Sequence, residues 1–584
     1  MIGTAPAQGE VTVNGQAIAR SPAGHFAPSF PLQVGENQFT LKYQNQTVTL
    51  RVKRLDTGPP TPIGSDAPVN PAFRAGSLTP AVDIARLPDE PICMGAIAPP
   101  HASVSVTLGS RTIPLLPQVS TAELPDNAAV LTLQNQPTTG DTAAQFYQGC
   151  IIGGQFSFNA SPNASPNISP NISPSTSPNI SPNTSPSISL NLGYPQFRLA
   201  LNGQTVAESG QGQIEILAPA SLPVVVVTAN PGTARTGPST DYSRMTPLPQ
   251  GTQAAITGRE GDWLRLDYGG WIKATETQVI ANAIAPQTLI RSIRASPAGN
   301  WTEIAFPLQV PVPISVQQSD RTFTLTLYNT TAQTDIIAFG NDPLIERLDW
   351  QQVAPTQVQY TFQMKSSQQW GYKLRYDGTT LILSLKHPPH QQSRRLPLAG
   401  MSVLLDPGHG GPEDLGSRGP TGYPEKAVTL IMANLVRDRL IARGATVYLT
   451  REGDVDLYPN DRADLINQIE PTIALSLHYN ALPDNGDAEH TAGVGTFWYN
   501  TQAHSLAAYL HDALVQKLDR PSYGIFWDNL ALTRPTVAPA VLLELGFMIN
   551  PNEFEWITNS QAQEKLADAI ADGITEWIGH QAEP

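Results

Sequence analysis

Only two cysteines occur in the 584 residues, and charged side chains make up just 14 % of the chain, against about 25 % in ordinary soluble proteins. So little charge argues against a coiled coil or a helical enzyme laced with ion pairs. No apolar run reaches the roughly 18 residues of a membrane-spanning helix. Basic residues are outnumbered, 35 against 49, for a net charge of −14, which argues against a nucleic-acid binder. The start, Met1-Ile2-Gly3-Thr4-Ala5, shows no basic stretch followed by an apolar one, so no signal peptide is read there. Cys93 and Cys150 have only each other as intramolecular partners, and a disulfide between them would require an oxidising compartment.

What is plentiful is proline, with 54 residues. A Pro-rich, charge-poor chain rich in Thr, Gln and Asn reads as β-modules joined by linkers. At about 100–200 residues per domain, its length predicts three to five of them. Charge marks one boundary. Before residue 400, 24 Lys and Arg face 24 Asp and Glu; from there on, 11 face 25. The whole imbalance falls on the last third.

Period-two alternation predicts strands through the first 55 residues, with Val11 and Val13, Phe39, Leu41 and Tyr43, and Val48, Leu50 and Val52 on strand faces. Asn14-Gly15 is a hairpin signal. This stretch resembles the immunoglobulin-like modules that precede catalytic domains in exported bacterial hydrolases. Residues 56–87 read as linker, Pro/Gly-rich from Asp56 to Pro80. Residues 88–220 read as a second β-domain, interrupted at 159–189 by a Ser-Pro-Asn repeat with almost nothing to bury. Residues 223–282 carry Arg235-Thr236-Gly237-Pro238-Ser239 and Gly270-Trp271-Ile272, and resemble the bacterial Src-homology-3-like barrel of wall hydrolases. Trp263 and Trp271 are expected in its core or groove. Residues 286–390 alternate again, at Ile304, Phe306, Phe323, Leu325, Leu381 and Leu383 among others. They resemble, in pattern and position, the AMIN β-sandwich that targets periplasmic amidases to the wall.

Residues 400–580 change character: short apolar strands alternate with 3.6-period helices, the pattern of a doubly wound α/β domain. Ligands are expected at the C-terminal ends of its strands. The strand Val403-Leu404-Leu405 runs into Asp406-Pro407-Gly408-His409-Gly410-Gly411. Glu425 opens a predicted helix, His478 follows Leu475-Ser476-Leu477, and Glu544 ends Val541-Leu542-Leu543. Singly, each has a bland explanation: a structural histidine, a carboxylate offsetting a helix dipole. A carboxylate ending a buried strand is harder to dismiss, because unpaired burial of charge costs several kcal/mol. Together, two histidines and a carboxylate make a catalytic zinc set with a fourth position for water, and a second carboxylate can take that water's proton.

The stretches LLDPGHGG (404–411), PEKAVTL (424–430), VYLTRE (447–452), LSLHYNA (475–481) and VLLELGFMINPNE (541–553) closely resemble the type 3 zinc-dependent N-acetylmuramoyl-L-alanine amidases. The resemblance implies one zinc ion held by His409, Glu425 and His478, with Glu544 as catalytic base and acid. It implies peptidoglycan as partner, a monomer, a periplasmic or otherwise extracytoplasmic location, and a role in wall remodelling or cell separation. Asp406, Arg451, Arg462 and Asn480 match recurrent family positions, with substrate contact or support of the site left open. His490, His504, His511 and His580 fall outside the motifs and read as surface residues. Some members carry an occluding helix after the strand that follows the second His motif; here Asn500–His504 is too short for one. Two competing readings are a zinc peptidase or carboxypeptidase of similar fold, which would need a cationic pocket the sequence does not display, and a non-catalytic wall-binding protein.

Overall fold

The acidic last third folds around a six-stranded sheet in this computed structural model. The described residues are 1–55, 71–119, 122, 124–132, 135–138, 145–156, 188–393, 395–483 and 486–581. Residues 56–70 of the expected linker and 159–187 of the Ser-Pro-Asn repeat lie outside them.

Strand order in that sheet is Thr446–Leu449, Ser402–Pro407, Ile473–Asn480, Ala540–Phe547, Val494–Trp498, Ser522–Trp527. Every neighbouring pair is parallel except Val494–Trp498 against Ala540–Phe547. The strands are apolar on both faces because both faces are covered. Leu405, Leu475, Val541 and Leu543 meet helices α1 (Glu425–Ala442), α3 (Thr501–Leu518) and α5 (Ser560–Gln581). Leu404, Ala474 and Leu542 face the other way, onto Ile466 of α2 (Pro459–Ile469) and Trp301 from the preceding β-module. The edge strand Ser522–Trp527 and the short α4 (Pro551–Thr558) were not anticipated from periodicity. Gly524 interrupts alternation in the first. The second is set by its cap, Asn550 accepting from the backbone N–H groups of Asn552 and Glu553, more than by a stripe.

The preceding modules are all β. Residues 288–386 form a five-stranded and a four-stranded sheet around one core containing Ile304, Phe306, Phe323, Leu325, Tyr360, Phe362, Leu381 and Leu383. Within the stretch expected to be linker, Ile84–Arg86 is a strand. It pairs with Ile214–Ile216 on one side and with Arg259 and Glu260 of the 223–282 module on the other. One hydrogen-bonded sheet therefore crosses the boundary expected near residue 220, and the Arg86–Glu260 and Arg265–Glu90 ion pairs, each 2.6 Å, reinforce it. Trp271 is buried and Trp263 half-buried with Lys273 over its ring. Cys93 and Cys150 face each other on paired antiparallel strands and are joined as a disulfide. Near the N-terminus, Val48, Leu50 and Val52 share a strand face that stays in solvent, on a four-stranded sheet whose buried residues are few.

The modules dock on the α/β domain. Trp301 donates to Glu470 at 3.1 Å, Lys373 pairs with Glu470 at 2.7 Å, and Lys386 donates to the carbonyls of Glu470, Pro471 and Val537. Trp370 packs on Trp577 at 5.5 Å between ring centres.

Candidate metal centre and cleft

The strand Ser402–Pro407 delivers the chain into a turn in which His409 adopts φ +58°. Glycine at 408 is a steric requirement: a Cβ there would lie 2.3 Å from His478 Cε1. Its absence lets the imidazoles of His409 and His478 approach to 4.9 Å between centres. Glu425 is the first residue of α1, and His478 lies near the end of Ile473–Asn480. His409 Nε2 and His478 Nδ1 each lie 3.2 Å from Glu425 Oε1. Donor atoms of all three fall within 4.8 Å of one another, a metal-binding spacing. The carboxylate grouped with both imidazoles is thus Glu425 and not Glu544.

Outer contacts aim these groups. His409 Nδ1 lies 2.6 Å from Asp414 Oδ1, a contact that fixes the ring with Nε2 toward Glu425. Glu425 accepts from the backbone N–H of Tyr479 at 2.8 Å and from the N–H and hydroxyl of Ser417 at 2.8 and 2.9 Å. Burial by itself would raise the Glu425 pKa; hydrogen bonds from His409 and His478 outweigh it and hold the carboxyl well below its usual range. Burial would likewise lower His409, and the Glu425 and Asp414 carboxylates reverse the sign and raise it.

Glu544 is opposite in character. It pairs in register with His478 on the adjacent strand, and its Oε2 is buried with no hydrogen-bond partner. Burial, then repulsion from Glu425, pushes its pKa well above the usual value. One face of the residue remains accessible to the cleft while Oε2 is sealed.

Asp406, Arg462 and Arg451 lie beneath the turn. Asp406 is fully buried and accepts from Thr450, Ser476 and Arg462 at 2.5, 2.6 and 2.8 Å. Arg462 also donates to the carbonyl of His409 at 2.8 Å. Arg451 donates to the carbonyls of Pro407, Gly408 and Lys426. Asn480 alone of the four open positions reaches the cleft. His511 is buried, hydrogen-bonded to Thr496 and Ser522, which corrects its reading as a surface residue: it faces the sheet from within α3.

The family profile for N-acetylmuramoyl-L-alanine amidase matches residues 403–576. The germination-specific N-acetylmuramoyl-L-alanine amidase of Bacillus subtilis (strain 168) is 33 % identical over 213 residues, covering 32 % of this chain and 84 % of that protein. The chain belongs to the N-acetylmuramoyl-L-alanine amidase family. The probable cell wall amidase LytH of Staphylococcus epidermidis is 32 % identical over 196 residues, 33 % of this chain and 64 % of the relative, so the chain spans less than two thirds of that protein's length. A solved N-acetylmuramoyl-L-alanine amidase from Clostridium difficile 630 is 29 % identical, covering 31 % of this chain and 97 % of that one, with a TM-score of 0.29.

In this amidase His409, Glu425, His478 and Glu544 line one open cleft of about 920 Å³. Tyr458 and Asn460 at the start of α2 and the segment Asn529–Leu532 also border it. So do Arg534 and Arg244, the latter from the 223–282 module. Sequence reasoning missed Asp414, Ser417 and this arginine pair. Asp414, five residues after His409, was within reach of a spacing argument. Arg244 carried no signal, because only docking of a separate module brings it to the cleft. The α3 helix starts at Thr501, directly after Trp498 and a two-residue connection, so the strand-to-helix link there is shorter still than its sequence suggested.

Proposed function

We propose that this chain hydrolyses the amide between the lactyl group of N-acetylmuramic acid and L-alanine of the stem peptide, in wall remodelling outside the cytoplasm. The observation that carries the reading is the pairing of two unlike carboxylates: Glu425 held ionised among imidazoles, and Glu544 one strand away with an orphaned buried oxygen and a raised pKa. Such a split marks a ligand and an acid–base group. Two imidazole nitrogens and one carboxylate oxygen facing a cleft fit a single zinc ion. Bound by His409, Glu425 and His478, zinc supplies water activation and polarisation of the scissile carbonyl. Glu544 takes the proton of the attacking water and returns it to the departing alanine nitrogen. Asp414 and Ser417 keep the side chains of His409 and Glu425 oriented. Asp406, Arg451 and Arg462 hold the turn that carries His409.

The β-modules, resembling wall-hydrolase barrels and AMIN sandwiches, position the acidic domain on an acidic polymer. Digestion of purified sacculi by the full chain tests the reading. New alanine amino termini and glycan strands bare of peptide are expected. Release of free D-alanine or of shortened stems still attached to glycan would establish the peptidase reading instead.

A further inference from the structure

We propose that Arg244 of the 223–282 module and Arg534 of the α/β domain together form a carboxylate-binding subsite that grips the stem peptide of the substrate. This rests on the amidase reading above and specifies how it selects its substrate.

Both arginines border the cleft that holds His409, Glu425, His478 and Glu544. Both are half-buried. Among the described residues neither has a carboxylate within ion-pair distance, although acidic side chains outnumber basic ones 25 to 11 beyond residue 400. Arg534 spends Nε and one terminal nitrogen on Asn529, at 2.8 and 3.1 Å, which fixes its plane and leaves the other terminal nitrogen uncommitted. Arg244 is bridged through its backbone to Arg235, whose own guanidinium is occupied by the carbonyls of Thr240 and Tyr242. Two guanidinium groups thus border the cleft, and a third, that of Arg235, is near enough to repel Arg534.

Their closeness has an energetic signature. Burial, then repulsion from Arg244 and Arg235, lowers the Arg534 pKa to about 10. Asp528 attracts Arg534 without pairing with it, and burial raises the Asp528 pKa. An anion in the cleft would relieve this repulsion, and planar guanidinium forks match carboxylates. Stem peptides carry carboxylates just beyond the alanine whose amide bond is to be cut. The same arginine pair explains how a domain of net negative charge accepts an acidic polymer at its centre.

The test uses the full chain and two soluble muropeptides, identical except that the stem carboxylates are free in one and amidated in the other. Wild type is expected to favour the free acid in kcat/KM by about tenfold, the strength of one charge-assisted contact. In Arg244→Ala and in Arg534→Ala that preference should collapse toward unity, chiefly through KM, and Arg244→Lys should recover part of it. Arg244→Glu should invert it. Since Arg244 bonds no other side chain among the described residues, melting temperatures of its variants report whether folding is intact. A wild-type preference below twofold, or a preference unchanged in folded Arg244→Glu, overturns the subsite while leaving the amidase reading intact. Failure of the wild type to cleave either muropeptide at the lactyl–alanine bond overturns both.

Discussion

Glu544 and Glu425 are chemically the same side chain, and their surroundings separate them. Glu425 is 2 % exposed yet receives five polar contacts, two of them from imidazoles. Glu544 has a sealed oxygen and a neighbouring negative charge. The separation predicts a division of effects. Glu544→Gln should retain stoichiometric zinc by elemental analysis and lose ~10²–10⁴-fold in kcat. His478→Ala should lose the metal itself. Near-normal turnover by Glu544→Gln would remove it from proton transfer. Beneath them, Asp406 and Arg462 form an ion pair with both side chains at most 3 % exposed. Arg462→Ala strands a buried carboxylate and frees the His409 carbonyl, so a loss of about 3–5 kcal/mol is expected in denaturant unfolding. Burial raises the Asp406 pKa, and Arg462, Ser476 and Thr450 more than reverse this, leaving it lowered. Its stabilising contribution is therefore complete above the ordinary aspartate pKa of ~4 and disappears as pH falls through the lower folded value. An Arg462→Ala protein with unchanged unfolding would contradict the assignment.

At the scale of elements, each site residue owes its place to how a strand or helix ends. Ser402–Pro407 and Ile473–Asn480 run parallel and in register, so the turn leaving the first and the last residues of the second bring His409 and His478 to the same edge. Helix α1 begins with Glu425 after Pro424, whose extended backbone sets the entry angle. In the β-modules the comparable device is covalent: Cys150 lies directly opposite Cys93 in the ladder between Gln145–Ile152 and Pro91–Ala98. Protein purified from an oxidising compartment should take up no thiol label until reduced. Cys150→Ser should lower the melting transition of the β-modules, by an amount on the order of 2 kcal/mol or more. Stoichiometric labelling of the unreduced native protein would refute the pairing.

Across the whole molecule, the α/β domain does not close its own core. Trp370 belongs to the cluster that includes Trp577, and Trp301 to the one that includes Leu404 and Leu542, though both come from the 288–386 module. Lys386, half-buried and pushed down to about pKa 8 by desolvation, ties three carbonyls of the domain to that module. A fragment spanning residues 396–584 should therefore melt below the same domain in the full chain. Trp301→Ala in the full chain should cost roughly 3 kcal/mol or more. Equal melting of fragment and full chain would show the interface to be energetically idle. Because the fragment also lacks Arg244, its KM for free-acid muropeptides should rise.

Much of the centre was legible before any coordinates, because its logic is local. Apolar strands ending in His409, His478 and Glu544 and a helix opening on Glu425 are features of short windows, and an α/β alternation brings strand ends to one edge by topology alone. The domain's acidity and its short link before α3 were equally plain in the chain. The choice of Glu425 over Glu544 as the carboxylate between the imidazoles rested on resemblance until distances of 3.2 Å separated them. The burial of Asp406 with Arg462 was left open, since charge pairs across 56 residues leave no local trace. Other features were decided wholly in three dimensions. The sheet that runs through Ile84–Arg86 into the 223–282 module defied a boundary drawn from composition, because a strand of three residues has too few positions to show a period. The arginine pair has the same origin: Arg244 and Arg534 are distant in sequence and belong to different modules. Periodicity governs what one element buries against its own sheet; which modules meet, and which side chains face a shared cleft, follows from the packing of whole surfaces.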